Sequence, residues 1–256
     1  MLYTLIIRDE LTAYLQEFLV CDSFNDYAPN GLQIEGRENI QRLCTAVTAS
    51  KAVIEKAIAM KADALLVHHG YFWRGEDPVI TGMKRARIAG LLSHDINLFA
   101  YHLPLDCHLS IGNNACLGQL LGMDTVCQHM AGKTPSLLWS GALSSPLTAK
   151  VFSSHITEQL KRAPLHVSGT KKLIQRVAWC SGAAEDFIED AHRLGVDAYL
   201  SGEISERTYY QAEELGMHYF ACGHHATERY GVQALGIHLS ERYGLDYQYI
   251  ESDNPV

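Results

Sequence analysis

The chain has 256 residues, of which 47% are hydrophobic, and its 21 Lys and Arg against 29 Asp and Glu give a formal net charge of −8. This composition predicts a compact globular protein, and the acidic excess argues against a general binder of nucleic-acid backbones. No apolar stretch approaches the roughly 20 residues that cross a bilayer, and the run at residues 2–7 is too short for a signal peptide. We therefore expect a cytoplasmic protein that has no membrane partner.

The spacing of apolar residues predicts helices and strands that alternate along the chain. An amphipathic helix around residues 11–19 comes first, and residues 25–36 are predicted as loop and turn. The following elements are predicted in order: strand 43–48, a helix around 53–58, strand 64–67, helix 84–93 and strand 97–101. The second half repeats this order with strand 177–181, a helix around 187–194, strand 198–200, helix 205–215 and strand 218–222. Between the halves we expect one strand over 139–144 and one helix over 146–162.

A shift of the chain against itself by 134 positions indicates an internal repeat. Residues 40–69 and 174–203 are identical at positions 40, 41, 42, 49, 54, 55, 57, 63, 64 and 66, whereas average composition would give about two identities. The third strands are matched at a shift of 122, which pairs the histidines that follow them. We interpret the repeat as a duplicated βαβ unit. It predicts two similar α/β lobes, residues 1–123 and 124–256, each with a mostly parallel sheet, and a metal site between the lobes.

Three apolar strands stop at histidine, and two of these histidines are followed four residues later by a carboxylate. Buried strand ends do not otherwise favour imidazole, and α/β folds keep their chemistry at strand ends. Imidazoles and carboxylates suit borderline divalent metals, and five such donors suit two ions with open water positions. A His-His pair or a His-x-x-x-Glu pair taken alone is often incidental, so the convergence carries the prediction. The candidate metal ligands are His68, His69, Asp106, His224 and Glu228.

Neighbouring polar residues are candidates for proton transfer. We assign His102 and Glu203 as candidate catalytic groups, and Glu203 stands at the repeat position of His69. His102, His108 and His225 can each be a ligand, an orienting partner of a ligand or a polar neighbour, and the orienting role is favoured. Glu203 can instead orient a partner by a hydrogen bond or lie beside a helix N-cap.

Other catalytic signatures are missing from the sequence. No Gly-x-Gly-x-x-Gly follows a strand, and there is no Walker loop and no Gly-x-Ser-x-Gly. The seven cysteines are scattered, and no pair is spaced Cys-x-x-Cys. We therefore disfavour a dinucleotide cofactor, a P-loop nucleotide, a serine nucleophile, a disulfide framework and a thiolate zinc site.

These motifs, with segments 26–36 and 223–229, closely resemble the NIF-three-like family, whose members are often labelled GTP cyclohydrolase 1 type 2 homologues. The resemblance runs from about Tyr27 to the end of the sequence. It implies a two-lobed α/β fold, a dinuclear metal centre and a toroidal homohexamer arranged as a trimer of dimers. It also implies that the five candidate ligands hold the metals, with Glu228 as the bridge. The short stretch between the halves resembles the family's short form, which lacks an inserted domain.

Two functions remain open at this point. The first is a dinuclear metal-dependent hydrolase, GTP cyclohydrolase-like, in which a metal-bridging hydroxide attacks a small-molecule substrate such as a nucleotide. Candidate partners for substrate phosphates are Lys84, Arg85, Arg87 and Arg229, and the substrate pocket is expected between the lobes. The alternative is a non-catalytic metal-binding regulator or scaffold ring, which stores or delivers metal or binds a macromolecular partner in DNA repair or transcription. Both readings expect two divalent metal ions per chain, and the sequence does not distinguish among Fe, Mn, Zn and Ni.

Overall fold

The computed structural model describes residues 5–256. The chain divides into two compact units: one comprises the residues up to Leu105 with Gly231–Asp253, and the other comprises Asp106–Tyr230 with Asn254–Val256. The predicted boundary at 123/124 lies inside the second unit, whose first residue is Asp106. No helix among the described residues has the length and apolar character needed to cross a membrane.

The elements alternate along the chain as the apolar spacing predicts. In chain order they are β1 (Ile6–Ile7), α1 (Arg8–Phe18), β2 (Gly31–Ile34), β3 (Asn39–Ile40), β4 (Arg42–Thr48), α2 (Lys51–Ala59), β5 (Ala64–His69), α3 (Gly82–Leu92), β6 (Asn97–Ala100), α4 (Leu103–Cys107), α5 (Asn113–Leu120), β7 (Met123–Ala131), β8 (Thr134–Leu147), α6 (Ala149–Leu160), β9 (Leu165–Val167), β10 (Ile174–Trp179), α7 (Ile188–Arg193), β11 (Ala198–Ser201), α8 (Glu206–Leu215), β12 (His218–Ala221), α9 (His224–Tyr243) and β13 (Asp246–Tyr249). Short 3-10 turns occupy Cys21–Ser23 and Glu185–Phe187.

The first unit is built on a five-stranded sheet with the order β13-β4-β5-β6-β2. The first four strands are parallel, and β2 pairs antiparallel with β6. The central strand β5 is apolar on both faces and buried from Ala64 to His68, as expected for a strand covered on both sides. Helix α2 begins where the Ser50 side chain accepts the N–H of Val53, so the chain leaves β4 and turns back over the sheet. The carboxyl end of β5 therefore presents His68 and His69 at one edge.

The second unit has a six-stranded sheet with the order β7-β8-β10-β11-β12-β9. Strands β10, β11 and β12 are parallel, and the flanking strands β8 and β9 are antiparallel to their neighbours. Trp179, Phe152 and Phe220 are fully buried in its core, and the rings of Phe152 and Phe220 meet edge to face. Ser205 caps the N-terminus of helix α8, and its side chain accepts the N–H of Thr208.

Matching aspartates anchor the corresponding strands β4 and β10 of the two sheets. The carboxylate of Asp63 accepts the backbone N–H groups of Gln41–Arg42 at 2.9 and 2.8 Å. The carboxylate of Asp197 accepts those of Gln175–Arg176 at the same two distances. A duplicated βαβ unit accounts for this match, although the duplication itself stays a prediction.

The register of the sheets corrects the alignment of the third strands. Strands β5 and β11 pair their first residues, Ala64 and Ala198, with Asn97 and His218. Because the two alanines are 134 positions apart, the third strands match at a shift of 121. The predicted shift of 122 relied on the histidines that follow these strands and is wrong by one residue, since one extra residue follows β12.

Several predicted boundaries differ from the structure. Residues 31–34, predicted as loop, form the edge strand β2. Its sequence shows no clear alternation of apolar and polar residues, because it contains Gly31 and Gln33. Asp106 lies in the short helix α4, for which the apolar spacing predicted no element. The strand predicted over 139–144 extends to 134–147 as β8 and pairs with the unpredicted β7, whose inner residues are largely exposed and so carry no apolar pattern.

Candidate metal centre

The first unit brings three imidazoles together beyond the ends of β5 and β6. Each of His68, His69 and His102 offers a ring nitrogen, and the three nitrogens lie within 4.8 Å of one another. The ring centroids of His68 and His69 are 4.6 Å apart, and those of His68 and His102 are 5.1 Å apart. This unit therefore contains a donor set of three imidazoles, in which His102 accompanies the two predicted ligands.

The environment of His68 fixes its tautomer. The side chain is fully buried, and Nδ1 lies 2.8 Å from the carbonyl oxygen of Tyr101. A carbonyl oxygen can only accept, so Nδ1 carries the proton in the neutral ring and Nε2 keeps its lone pair. Metal-binding histidines typically donate their second ring N–H in this way. The Nδ1 of His69 lies 3.1 Å from the hydroxyl of Thr48.

Asp26 holds His102 in the same manner. Its Oδ1 lies 2.9 Å from Nδ1 of His102, and its Oδ2 accepts the backbone N–H of Leu103 and an amide N–H of Asn30 at 3.0 Å each. Burial would raise the pKa of Asp26, but the hydrogen bond and charge of His102, together with the other donors, lower it to about 2. Asp26 is therefore ionised at neutral pH and keeps the proton of His102 on Nδ1.

In the second unit, helix α9 begins at His224 and carries Glu228 one turn later on the same face. Nε2 of His224 lies 3.0 Å from Oε2 of Glu228, and Nδ1 lies 2.6 Å from Oε1 of Glu203. Burial lowers the pKa of His224, but Glu228, and after it Glu203, outweigh burial and raise the pKa to about 9. The raised pKa shows that the electrostatic potential at the His224 ring, between two carboxylates, is negative. A metal cation can replace the proton on the side of Glu228.

Asp106 lies on the buried side of this second donor set. Its Oδ1 accepts hydrogen bonds from Nδ2 of Asn113 at 2.9 Å and from the hydroxyl of Ser181 at 3.0 Å. One of its oxygens lies within 4.8 Å of an oxygen of Glu228, and the two residues are only 4% and 3% exposed. Two buried carboxylates at this separation repel each other unless a cation or a proton compensates them.

Gly182 makes room for the Glu228 carboxylate. A Cβ atom at this position would overlap Oε1 of Glu228 and lie 3.3 Å from Nε2 of His224, and the backbone φ is +69°. Both the space and the left-handed backbone require glycine here. The sequence did not predict roles for Asp26, Ser181, Asn113 and Gly182. The available signals were the loop segment that starts at Asp26 and the Ser-Gly pair that follows Cys180 after the end of β10.

The other predicted residues occupy different positions. Glu203 contacts His224, which favours its orienting role, and the adjacent helix is capped by Ser205 instead. Nδ1 of His108 accepts backbone N–H groups in its own turn, at 3.4 and 3.3 Å. His225 is buried, and its backbone N–H lies 3.1 Å from the oxygen of Val256. Neither His108 nor His225 belongs to a metal-donor group within residues 5–256.

Burial keeps the thiols of Cys180 and Cys222 protonated, because it raises the pKa of each well above its usual value. Cys107, Cys180 and Cys222 are buried, and burial, with a further contribution from the charge of Asp106, raises the pKa of Cys180 well above its usual value. The metal-donor groups of the described chain contain histidine and carboxylate ligands but no cysteine. This donor chemistry fits borderline divalent metals such as iron, manganese, zinc and nickel.

The predicted phosphate partners include two that are engaged elsewhere. Lys84 pairs with Glu76 at 3.3 Å and donates to the carbonyl of Asp77. Arg229 donates to the carbonyl of Leu160 at 2.5 Å. These contacts hold both side chains against neighbouring parts of the fold.

Comparisons with known proteins agree with this fold. The family model Duf34/NIF3 (NGG1p interacting factor 3) matches residues 6–255. A protein of Allochromatium vinosum named GTP cyclohydrolase 1 type 2 homolog is 52% identical over 249 residues, covering 97% of each chain. A protein of Escherichia coli K12 with the same name is 47% identical, covering 96% of this chain and 98% of its own. A solved structure described as protein ybgI of unknown function superposes with a TM-score of 0.94 at 46% identity, covering 98% of this chain and all of its own. The chain belongs to the Duf34/NIF3 family.

Proposed function

We propose that the chain is a dinuclear metal-dependent hydrolase, and that its candidate ligands bind a pair of divalent cations. The observation that carries this proposal is the hydrogen bonding and burial of the donor side chains. His68 and His102 each have Nδ1 held by an acceptor, so that Nε2 keeps its lone pair. Asp106 and Glu228 are buried carboxylates whose mutual repulsion a bound cation would compensate.

Bound divalent cations supply Lewis acidity and lower the pKa of a water molecule toward neutrality. The protein's own contribution is to hold donors and to move a proton. His102 can accept a proton at Nε2 while Asp26 stabilises the resulting imidazolium from the opposite side of the ring. Glu203 fixes the orientation of His224 through Nδ1. The names of the relatives make a nucleotide the first substrate class to test.

The experiment combines metal analysis with a hydrolysis assay. Purified chain is loaded with Fe, Mn, Zn or Ni, its bound metal is measured, and turnover is assayed on GTP and a panel of phosphate esters. His68→Gln and Glu228→Gln should each lose metal and abolish turnover. The control His94→Gln alters an exposed histidine, whose ring bonds to the carbonyl of Gly90, and it should change neither metal content nor turnover. Metal binding without turnover in any metal state would favour the alternative function, a non-catalytic metal-binding regulator.

His102 needs its own variant because it can act as a ligand or as a base. His102→Gln should retain bound metal and lose turnover if the ring accepts a proton. If the ring is a third imidazole ligand, His102→Gln should lose about as much bound metal as His68→Gln does.

We also propose a homohexamer, arranged as a trimer of dimers, that acts on a small-molecule substrate. Support comes from a run of exposed apolar side chains in the segment before and at the start of α3, where Val79, Ile80 and Met83 are 56%, 50% and 67% exposed. Side chains of this kind are commonly covered in assemblies. Light scattering tests this: six copies of the 28.5 kDa chain are expected, and a monomer at micromolar concentration would contradict the ring.

A further inference from the structure

A pocket in the second unit adjoins the His224 position. It has a volume of about 350 Å³, and its walls include Arg162, Leu165, Glu203 and Ile204. Glu203 contributes to the wall with the same side chain that contacts Nδ1 of His224 at 2.6 Å. A ligand in this pocket therefore lies one side chain away from a candidate metal ligand.

Arg162 is the one Lys or Arg among the described residues that line this pocket. Its guanidinium packs against the backbone of Gly223, where a Cβ atom would lie 2.5 Å from Nε of Arg162 and the backbone φ is +97°. Glycine at position 223 thus provides the space for the arginine side chain and the turn that leads into α9. Gly223 directly precedes His224. The turn that accommodates the Arg162 side chain therefore also positions His224 at the start of α9.

The segment Asn254–Val256 lies against this arginine. An Nη1 N–H of Arg162 donates to the carbonyl oxygen of Pro255, and the backbone N–H of His225 donates to the oxygen of Val256 at 3.1 Å. Two oxygens of the chain therefore occupy a guanidinium and a backbone N–H in the first turn of a 20-residue helix. Phosphoryl and carboxylate groups present oxygens that suit this pair of donors.

We propose that Arg162 and the N–H of His225 bind an anionic group of the substrate, phosphoryl or carboxylate, and that segment 254–256 covers this position until the substrate displaces it. The anionic group would then enter the pocket beside Glu203. The assignment to a substrate rests on the proposed function, whereas anion binding at Arg162 does not require turnover or metal.

The test is calorimetric titration of chelator-treated protein with inorganic phosphate, in which metal cannot contribute to binding. A chain that ends at Asp253 should bind phosphate about tenfold more tightly than the 256-residue chain, because two oxygens no longer compete. In that shortened chain, Arg162→Gln should weaken binding about tenfold, which is typical of a lost charged hydrogen bond. Titration with acetate separates carboxylate from phosphoryl recognition.

The control is Lys161→Gln, which removes the same charge from an adjacent, exposed residue that does not line the pocket. It should change the dissociation constant less than twofold. Arg162→Lys retains the charge without the fork of donors and should give an intermediate value, and a melting curve for each variant checks folding. Equal effects of Lys161→Gln and Arg162→Gln, or no gain on shortening the chain, would overturn the proposal. Phosphate binding that depends on Arg162, with no turnover on any substrate, would contradict the proposed function and leave the anion site supported.

Discussion

The carboxylate of Asp26 lies 2.9 Å from Nδ1 of His102, although 76 residues separate them in the chain. The same carboxylate accepts the backbone N–H of Leu103, so Asp26 holds both the ring and the chain that leaves β6. The side chain of Asp26 is 3% exposed, and its lowered pKa keeps it ionised across the neutral range. A buried, ionised carboxylate on one ring nitrogen makes the other nitrogen a better base or a better ligand.

Asp26→Asn should slow hydrolysis about 100-fold at saturating metal, because an amide stabilises an imidazolium much less than a carboxylate does. The tautomer of His102 should also shift, which nitrogen NMR of the labelled ring can report. Asp22→Asn is the matched control, since it removes the same charge from an exposed residue that contacts Gln16. An unchanged rate and tautomer in Asp26→Asn would exclude the positioning role of Asp26.

Ser181→Ala should weaken metal binding about 10-fold to 100-fold, the usual effect of removing a hydrogen bond to a ligand. The hydroxyl of Ser181 donates to Oδ1 of Asp106 and helps to fix the carboxylate plane. Competition with a chromophoric chelator measures the change. Ser205→Ala is the comparison: it removes the cap of α8, so it should lower stability by about 1 kcal/mol and leave metal affinity unchanged. Equal metal affinities in the two variants would contradict the role of Ser181.

The sequence predicted the donors that follow regular elements. His68 and His69 close a strand whose continuous apolar run identifies it, and Glu228 follows His224 at helical spacing. The convergence of three apolar strands on histidine then selected these residues as candidate ligands. The family to which the chain belongs could likewise be predicted from these motifs.

The residues that hold the donors could not be predicted in this way. Asp26, Ser181 and Gly182 lie in loops, where no periodicity exists and where neighbours are set by contacts that span many residues. The hairpin of β7 and β8 was missed in part because the inner residues of β7 are mostly exposed. The third strands were aligned on their histidines, and only the hydrogen-bonded register revealed the extra residue after β12.

Gly182→Ala should abolish metal binding by the second donor set, because the added methyl group displaces the Glu228 carboxylate. It should also lower the free energy of unfolding by about 1–2 kcal/mol from backbone strain alone. Gly122→Ala is a close control, since its φ is +67° and no atom lies within 4 Å of the added Cβ. Both variants should lose stability in urea titrations, and only Gly182→Ala should lose metal. Retained metal in Gly182→Ala would show that Glu228 is not a ligand.

The anchor formed by Asp197 should make stability depend on pH in the acidic range. Burial raises the pKa of Asp197, but the hydrogen bond from Lys171, with those from the N–H groups of Gln175–Arg176, outweighs burial and lowers the pKa. Because the folded pKa lies below the unfolded value of about 3.9, the ionised carboxylate stabilises the fold above that pH. This stabilisation is lost as the pH falls through the folded pKa.

Asp197→Asn should therefore lower the free energy of unfolding at pH 7 by about 1–3 kcal/mol, since two backbone donors lose a charged acceptor. The difference from the native chain should shrink as urea titrations are repeated at pH 5, 4 and 3. Asp186→Asn, at an exposed residue paired with Arg207, should change stability by less than about 1 kcal/mol at every pH. A difference between Asp197→Asn and the native chain that stays constant down to pH 3 would mean that the carboxylate charge contributes nothing. The loss of stability in Asp197→Asn would then come from the geometry of the asparagine side-chain amide and not from the missing charge.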